Sequence, residues 1–246
     1  MKIFTIDNNI YGILSALYFS FTENIIPDLI EDVKTYQPRF DGVIINVPTT
    51  QSFSERVKTA LFKYAGDDII YHLKICLMCK ENTALIYAFN YAYLILKYRT
   101  DVSEMLGEKA VSDFSYTVQK VLHERHVFTG LIRFRESLRG VLYARFSPDN
   151  DIVELLAPHF LKRLGKTPFI IHDISRNKLV MSDGNKLKTA NTDIPANFTP
   201  AEKENAVSNL WRKYFTSINI KERVNLRQQN NYFPRRYRKY CYETWE

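Results

Sequence analysis

Along the first half of the chain, apolar side chains recur at helical spacing; near residue 127 they begin to alternate. Residues 2–6 predict a short edge strand, and Ile10–Phe21 predicts an apolar helix opened by Tyr11-Gly12. Helical spacing continues over Asp28–Tyr36 until Pro38 ends it. Gly42–Pro48 is an unbroken apolar run whose shortness favours a buried strand. Ser52 with Glu55 three residues on forms a capping-box pattern, and Val57, Leu61 and Tyr64 continue that helix. Two more helices are predicted over Asp67–Cys79 and Glu81–Tyr98. Glu108–His126 predicts a long amphipathic helix with Val111, Phe114, Val118, Val121 and Leu122 on one stripe.

The alternating region predicts strands at Val127–Arg135 and Val141–Phe146, a helix over Pro148–Leu164, and a second hairpin of Thr167–Asp173 with Lys178–Met181. Together these read as a small antiparallel β-β-α-β-β sheet. Residues 182–200 read as a polar loop or linker, followed by helices over Glu202–Ser217 and Lys221–Gln229. The expected fold class is α+β: a largely helical N-terminal part, the small sheet in the middle, and a helical, basic C-terminal segment. The expected division is an N-terminal α/β region over 1–83 and a second domain over 84–246.

With 246 residues, 46% of them apolar and 14% aromatic, the chain can bury a sizeable core and is not a disordered segment. It has no membrane-length apolar run, no signal-peptide pattern at its start and only three cysteines, so a cytoplasmic protein away from the membrane is expected. Charge is unevenly placed. Between Arg212 and Tyr240 nine basic residues face one acid, a net of +8 within a chain whose total is +7. Such a segment favours phosphate by counterion release; the plainer reading is a solvated tail.

Several separated motifs carry a resemblance. They are His123-Glu-Arg-His-Val-Phe-Thr-Gly-Leu-Ile-Arg-Phe-Arg135, Gly140-Val-Leu-Tyr-Ala144, Pro148, His159-Phe-Leu-Lys-Arg163, Ile171-His-Asp-Ile-Ser-Arg176, Leu210-Trp-Arg-Lys-Tyr-Phe215 and Pro234-Arg-Arg-Tyr237, with Asp7…Gly12-Ile-Leu at the start. In order, they resemble the bacterial family of DNA metabolism or repair proteins that accompany a radical-SAM DNA repair protein. A domain similar to residues 84–246 also occurs fused to uracil-DNA glycosylases. The resemblance implies a DNA-repair setting, with DNA and the radical-SAM protein as partners, and no particular reaction. This chain departs from the pattern at the tail, where Arg238 follows Tyr237 in place of the expected Trp.

Candidate chemistry falls in three places. Glu124 and His126 flank the stripe near the end of the long helix; they read as an acid–base pair with Asp173 or His172 assisting, or as a helix terminus whose His complements the dipole. No third ligand accompanies them, so no metal site is expected, and no cofactor motif is present. A five-residue hairpin loop at 136–140 would pair Arg135 with Val141, Arg133 with Tyr143 and Leu131 with Arg145, all on one sheet face. Three Arg and a Tyr on a face suit a phosphate track with a stacking platform; the alternative is Arg stems packing beneath paired heads. Arg176 joins this set across a turn from Asp173, and the tail adds Arg235, Arg236, Tyr237 and Arg238, with its rings expected inward and its arginines outward. Cys76-x-x-Cys79 lies alone in an apolar helix and reads as buried core cysteine. Three functions remain open: a nucleic-acid-binding accessory protein, an enzyme acting on DNA or a damaged base, and a protein-interaction scaffold.

Overall fold

The computed structural model describes residues 1–37, 42–138 and 140–191, then 209–210, 213–214, 217, 227–228, 230, 233–238 and 240–241. The chain is mixed α/β and divides into two compact units, Met1–Leu122 and His123–Glu246.

The first unit is built on a three-stranded parallel sheet of β1 (Lys2–Ile6), β2 (Leu29–Asp32) and β3 (Val43–Asn46), in the order β2-β1-β3. β1 is therefore central rather than an edge, because Ile3, Phe4 and Ile6 are all buried and both flanks are paired. The more continuous apolar run, β3, is an edge strand, as is β2, and Val43 is 64% exposed. The helix expected over 28–36 is instead β2: four residues in parallel register with β1 outweigh the local spacing.

Helix α1 (Ile10–Glu23) begins at Asn9, whose side chain accepts the Gly12 N–H at 3.0 Å. A Cβ on Gly12 would lie 2.2 Å from the Asp7 carbonyl oxygen, so only glycine lets α1 start this close to the end of β1. Helices α2 (Gln51–Ala65), α3 (Ile69–Leu77) and α4 (Ala84–Tyr98) complete the cover. The capping box at Ser52 is not formed. α2 starts one residue earlier with Thr50 as its cap, and Glu55 pairs with Lys58 at 3.2 Å. Cys76 and Cys79 are buried free thiols, and burial pushes the Cys76 thiol up to about 12.

Helix α5 (Lys109–Leu131) runs five residues past its predicted end at His126, so the strand expected from Val127 is largely helix. The reason is packing: Val111, Phe114, Val118, Val121, Phe128 and Ile132 are all buried at three- to seven-residue steps, one stripe continuing past His126.

The second unit holds a five-stranded sheet, β4 (Arg135–Glu136), β5 (Leu142–Phe146), β6 (Phe169–Asp173), β7 (Lys178–Ser182) and β8 (Leu187–Asn191), in that spatial order. It is mixed rather than antiparallel: β5 and β6 are parallel because α6 (Val153–Leu164) carries the chain back across one face between them. The β6–β7 hairpin forms as expected, with Asn177 in the left-handed region at φ 50°. β8 occupies part of the stretch read as a linker. The helices expected over 202–217 and 221–229 fall largely outside the described residues, as do Trp211, Arg212, Tyr232, Lys239, Tyr242 and Trp245. A single turn, α7 (Arg235–Arg238), is described near the C-terminus. No helix among the described residues is long and apolar enough to cross a membrane.

Candidate nucleic-acid interface

The register of the second sheet decides which side chains share a face. Arg135 pairs with Tyr143 and Glu136 with Leu142, two residues from the expected pairing. An even shift preserves the face, so Arg135, Tyr143 and Arg145 remain together. Across the sheet, Tyr143 aligns with Ile170, Ile170 with Met181 and Met181 with Lys188, while Arg145 aligns with His172. One row therefore runs Arg135, Tyr143, Ile170, Met181, Lys188. The opposite face, with Ala144, Phe146, Phe169, Ile171 and Val180 buried, packs against α6.

Arg133 does not belong to this face. α5 runs to Leu131, so Arg133 lies in the connector before β4, and its guanidinium donates to the Gly130 carbonyl at 2.7 Å. Lys188 is the cation that sequence reasoning missed. Asp183-Gly184, a hairpin-turn dipeptide ahead of β8, was the signal for it.

Within the face, the Tyr143 hydroxyl and His172 Nδ1 are 2.9 Å apart. His172 is 6% exposed, and burial holds its pKa below the ordinary imidazole value against the opposing pull of Asp173. Burial likewise raises the Tyr143 phenol, with Tyr240 adding and Arg145 opposing. At neutral pH the pair is thus a neutral imidazole and a neutral phenol. His172 Nε2 is buried and has no hydrogen-bond partner among the described residues. Arg145 is exposed, with its guanidinium 5.9 Å from the centre of the Tyr240 ring. The face offers cations and a phenol ring, a set that can meet phosphate and base together.

A second constellation stands behind the Ser147–Asp151 loop between β5 and α6. Glu124, 7% exposed, accepts the Asp149 N–H (2.7 Å) and Tyr237 hydroxyl (2.7 Å) at Oε1, and the Asn150 N–H (2.8 Å) and Nδ2 (2.6 Å) at Oε2. Arg176 donates to the carbonyls of Pro148 (3.2 Å) and Asp149 and to Asp173 Oδ2 (2.8 Å). Asp173, fully buried, also accepts the Ser175 N–H and hydroxyl. The loop's N–H groups are thus held by a carboxylate and its carbonyls by a guanidinium. Glu124 and Asp173 act here as anchors of backbone. His126 is exposed and, two residues along α5, about 200° around the helix from Glu124, so the two are not brought together.

The same carboxylate anchors the tail. Tyr237 is buried with its ring 4.6 Å from that of Phe128, and burial together with Glu124 raises its phenol far above the ordinary value. Its neighbours Arg235 and Arg236 are exposed, and Arg236 pairs with Asp149 at 2.7 Å. Arg238 is drawn into local structure: its guanidinium donates to Asn230 Oδ1 (2.8 Å) and the Phe233 carbonyl (3.1 Å). Among the described residues, no group of three or more His, Cys, Asp or Glu side chains is placed to hold a metal ion.

Comparison with curated proteins gives no match. A family model described as a domain of unknown function (DUF4130) matches residues 80–243, taking in the long helix, the whole second sheet and the Tyr237 turn. On that match, which covers well over half of its length, the chain belongs to the DUF4130 family.

Proposed function

We propose that the protein binds nucleic acid through the β4–β8 face, and that it serves DNA metabolism or repair as the accessory partner of a radical-SAM DNA repair protein, the setting its family resemblance implies. The observation that supports binding is the row formed by Arg135, Tyr143 and Lys188, with Arg145 and the half-satisfied His172 beside it on the face turned away from α6. Arg235 adds an exposed cation on a turn whose buried Tyr237 fastens it to the same unit, while Arg236 is paired with Asp149. Phosphate neutralisation by these side chains supplies affinity, and Tyr143 supplies a surface for an unpaired base.

Fluorescence anisotropy with a single-stranded and a duplex DNA oligonucleotide tests this. Binding is expected to weaken steeply between 50 and 200 mM salt, by roughly an order of magnitude or more for several phosphate contacts. Arg145→Ala and Lys188→Ala are each expected to lower affinity and the salt slope. Tyr143→Leu is expected to weaken the single strand more than the duplex. Absence of binding at 50 mM salt, or binding indifferent to salt, would overturn the proposal.

A further inference from the structure

The tail brings one more ring to the sheet face of the second unit. After α7 the chain turns once more, and the Cys241 N–H donates to the Arg238 carbonyl at 2.9 Å. Two buried side chains pin this turn. Tyr237 is held by the Glu124 carboxylate and the Phe128 ring. Cys241, 1% exposed, sends its thiol to the Leu131 carbonyl at 3.4 Å. Tyr240 lies between these anchors and is only half-buried. A ring that served the core alone would sink with its neighbours, as Tyr237 does. Tyr240 instead meets the Arg145 guanidinium, 5.9 Å from its ring centre.

Tyr143 and Arg145 are two residues apart on β5, hence on one face and about 7 Å from each other. The Tyr143 phenol, raised chiefly by burial, also feels Arg145 and Tyr240, in keeping with their closeness. Two phenol rings, one from the sheet and one from the tail, therefore have a cation beside them. The contact of Arg145 with the Tyr240 ring is at the outer limit of a cation–π pair, and this arginine is exposed. A phosphate offers the guanidinium a full opposite charge and draws it from the ring, whose face is then left for a base. Bases in a duplex keep their faces against one another, so only an unpaired base can use such a ring.

Resting on the nucleic-acid reading of this face, we propose that Tyr240 is a base-stacking residue of the site, and that the site takes an unpaired nucleotide, with its base on the Tyr240 ring and its phosphate on Arg145. Anisotropy titrations of the full chain in low salt test it, using a labelled oligothymidylate, the same strand annealed to its complement, and an abasic strand of equal length. Tyr240→Ala is expected to weaken the single strand about fivefold or more and to leave duplex binding within about twofold. Tyr240→Phe, which keeps the ring, is expected to bind as the parent does. The abasic strand is expected to bind more weakly than oligothymidylate and to be indifferent to Tyr240→Ala. Equal losses on single strand and duplex, a Phe variant as weak as the Ala variant, or an abasic strand weakened as much as the intact one would each overturn the proposal. If Tyr240→Ala misfolds, Tyr240→Leu, which fills similar space without a π face, takes its place. A parent chain that binds no DNA overturns the reading beneath this inference as well; a parent that binds both forms, with no effect of Tyr240→Ala, overturns this inference alone.

Discussion

At the scale of single residues, the buried carboxylate of Glu124 is the most informative side chain. Its two oxygens accept four hydrogen bonds from a loop and a tail that are remote in sequence. Glu124→Gln keeps the shape but turns an amide N–H₂ toward two donors. The expected loss is about 3 kcal/mol, because hydrogen bonds to a charged group are replaced by unsatisfied ones. Urea unfolding measures it, and a change below about 1 kcal/mol would show that the loop does not depend on this carboxylate. In the sequence Glu124 stands beside His126 as an acid–base candidate near the predicted helix end; in the fold the helix continues to Leu131, and the carboxylate holds a loop and a tail instead. His172 carries a pH prediction. Its folded pKa is depressed by burial, so the stability it contributes is present above the ordinary imidazole value near 6.5 and is lost as pH falls through the lower folded value. The thermal midpoint is expected to decline on acidification below about pH 6.5, and His172→Asn is expected to flatten that decline.

Elements were legible where one local signal dominated. The helices α1 to α4 and the β6–β7 hairpin each announce themselves through spacing or turn residues. The errors came where pairing at a distance outvoted the local pattern. β2 is a strand because β1 offers it a parallel edge. Residues 127–131 are helical because Phe128 extends a buried stripe, despite their β-branched and aromatic character. The antiparallel expectation failed for a topological reason: a helix between two strands returns the chain to the starting end. The junction of β1 and α1 gives a direct test at this scale. Gly12→Ala sets a methyl 2.2 Å from the Asp7 carbonyl oxygen, a backbone atom that cannot swing aside. A loss of about 3 kcal/mol is expected, at the upper end of overpacking costs, read from thermal or urea unfolding. A neutral result would mean that α1 can slide along the sheet.

For the whole molecule, the family match and the compact units divide the chain differently. The match begins at residue 80, whereas the first unit runs to Leu122 and includes α4. Within that unit Phe89 of α4 is fully buried and meets the ring of Phe4 on β1 at 6.4 Å. A fragment of residues 80–246 would strip α4 of β1 and α1 and uncover Phe89. It is expected to be largely insoluble or aggregated beside the full chain, as size-exclusion chromatography would show. A monomeric, cooperatively melting fragment would contradict this. Cation placement belongs to this scale as well. The composition revealed an excess near the C-terminus, but only the fold distinguishes Arg176 and Arg238, engaged in local bonds, from the exposed Arg145, Lys188 and Arg235.

The bond from Tyr237 to Glu124 joins positions 113 apart. A chain emerging from the ribosome can form α5, and then the sheet, well before residue 237 leaves the exit tunnel. Until then Glu124 lacks one of its donors and Phe128 one of its neighbours, so completion of the second unit is obliged to wait until residue 237 has emerged.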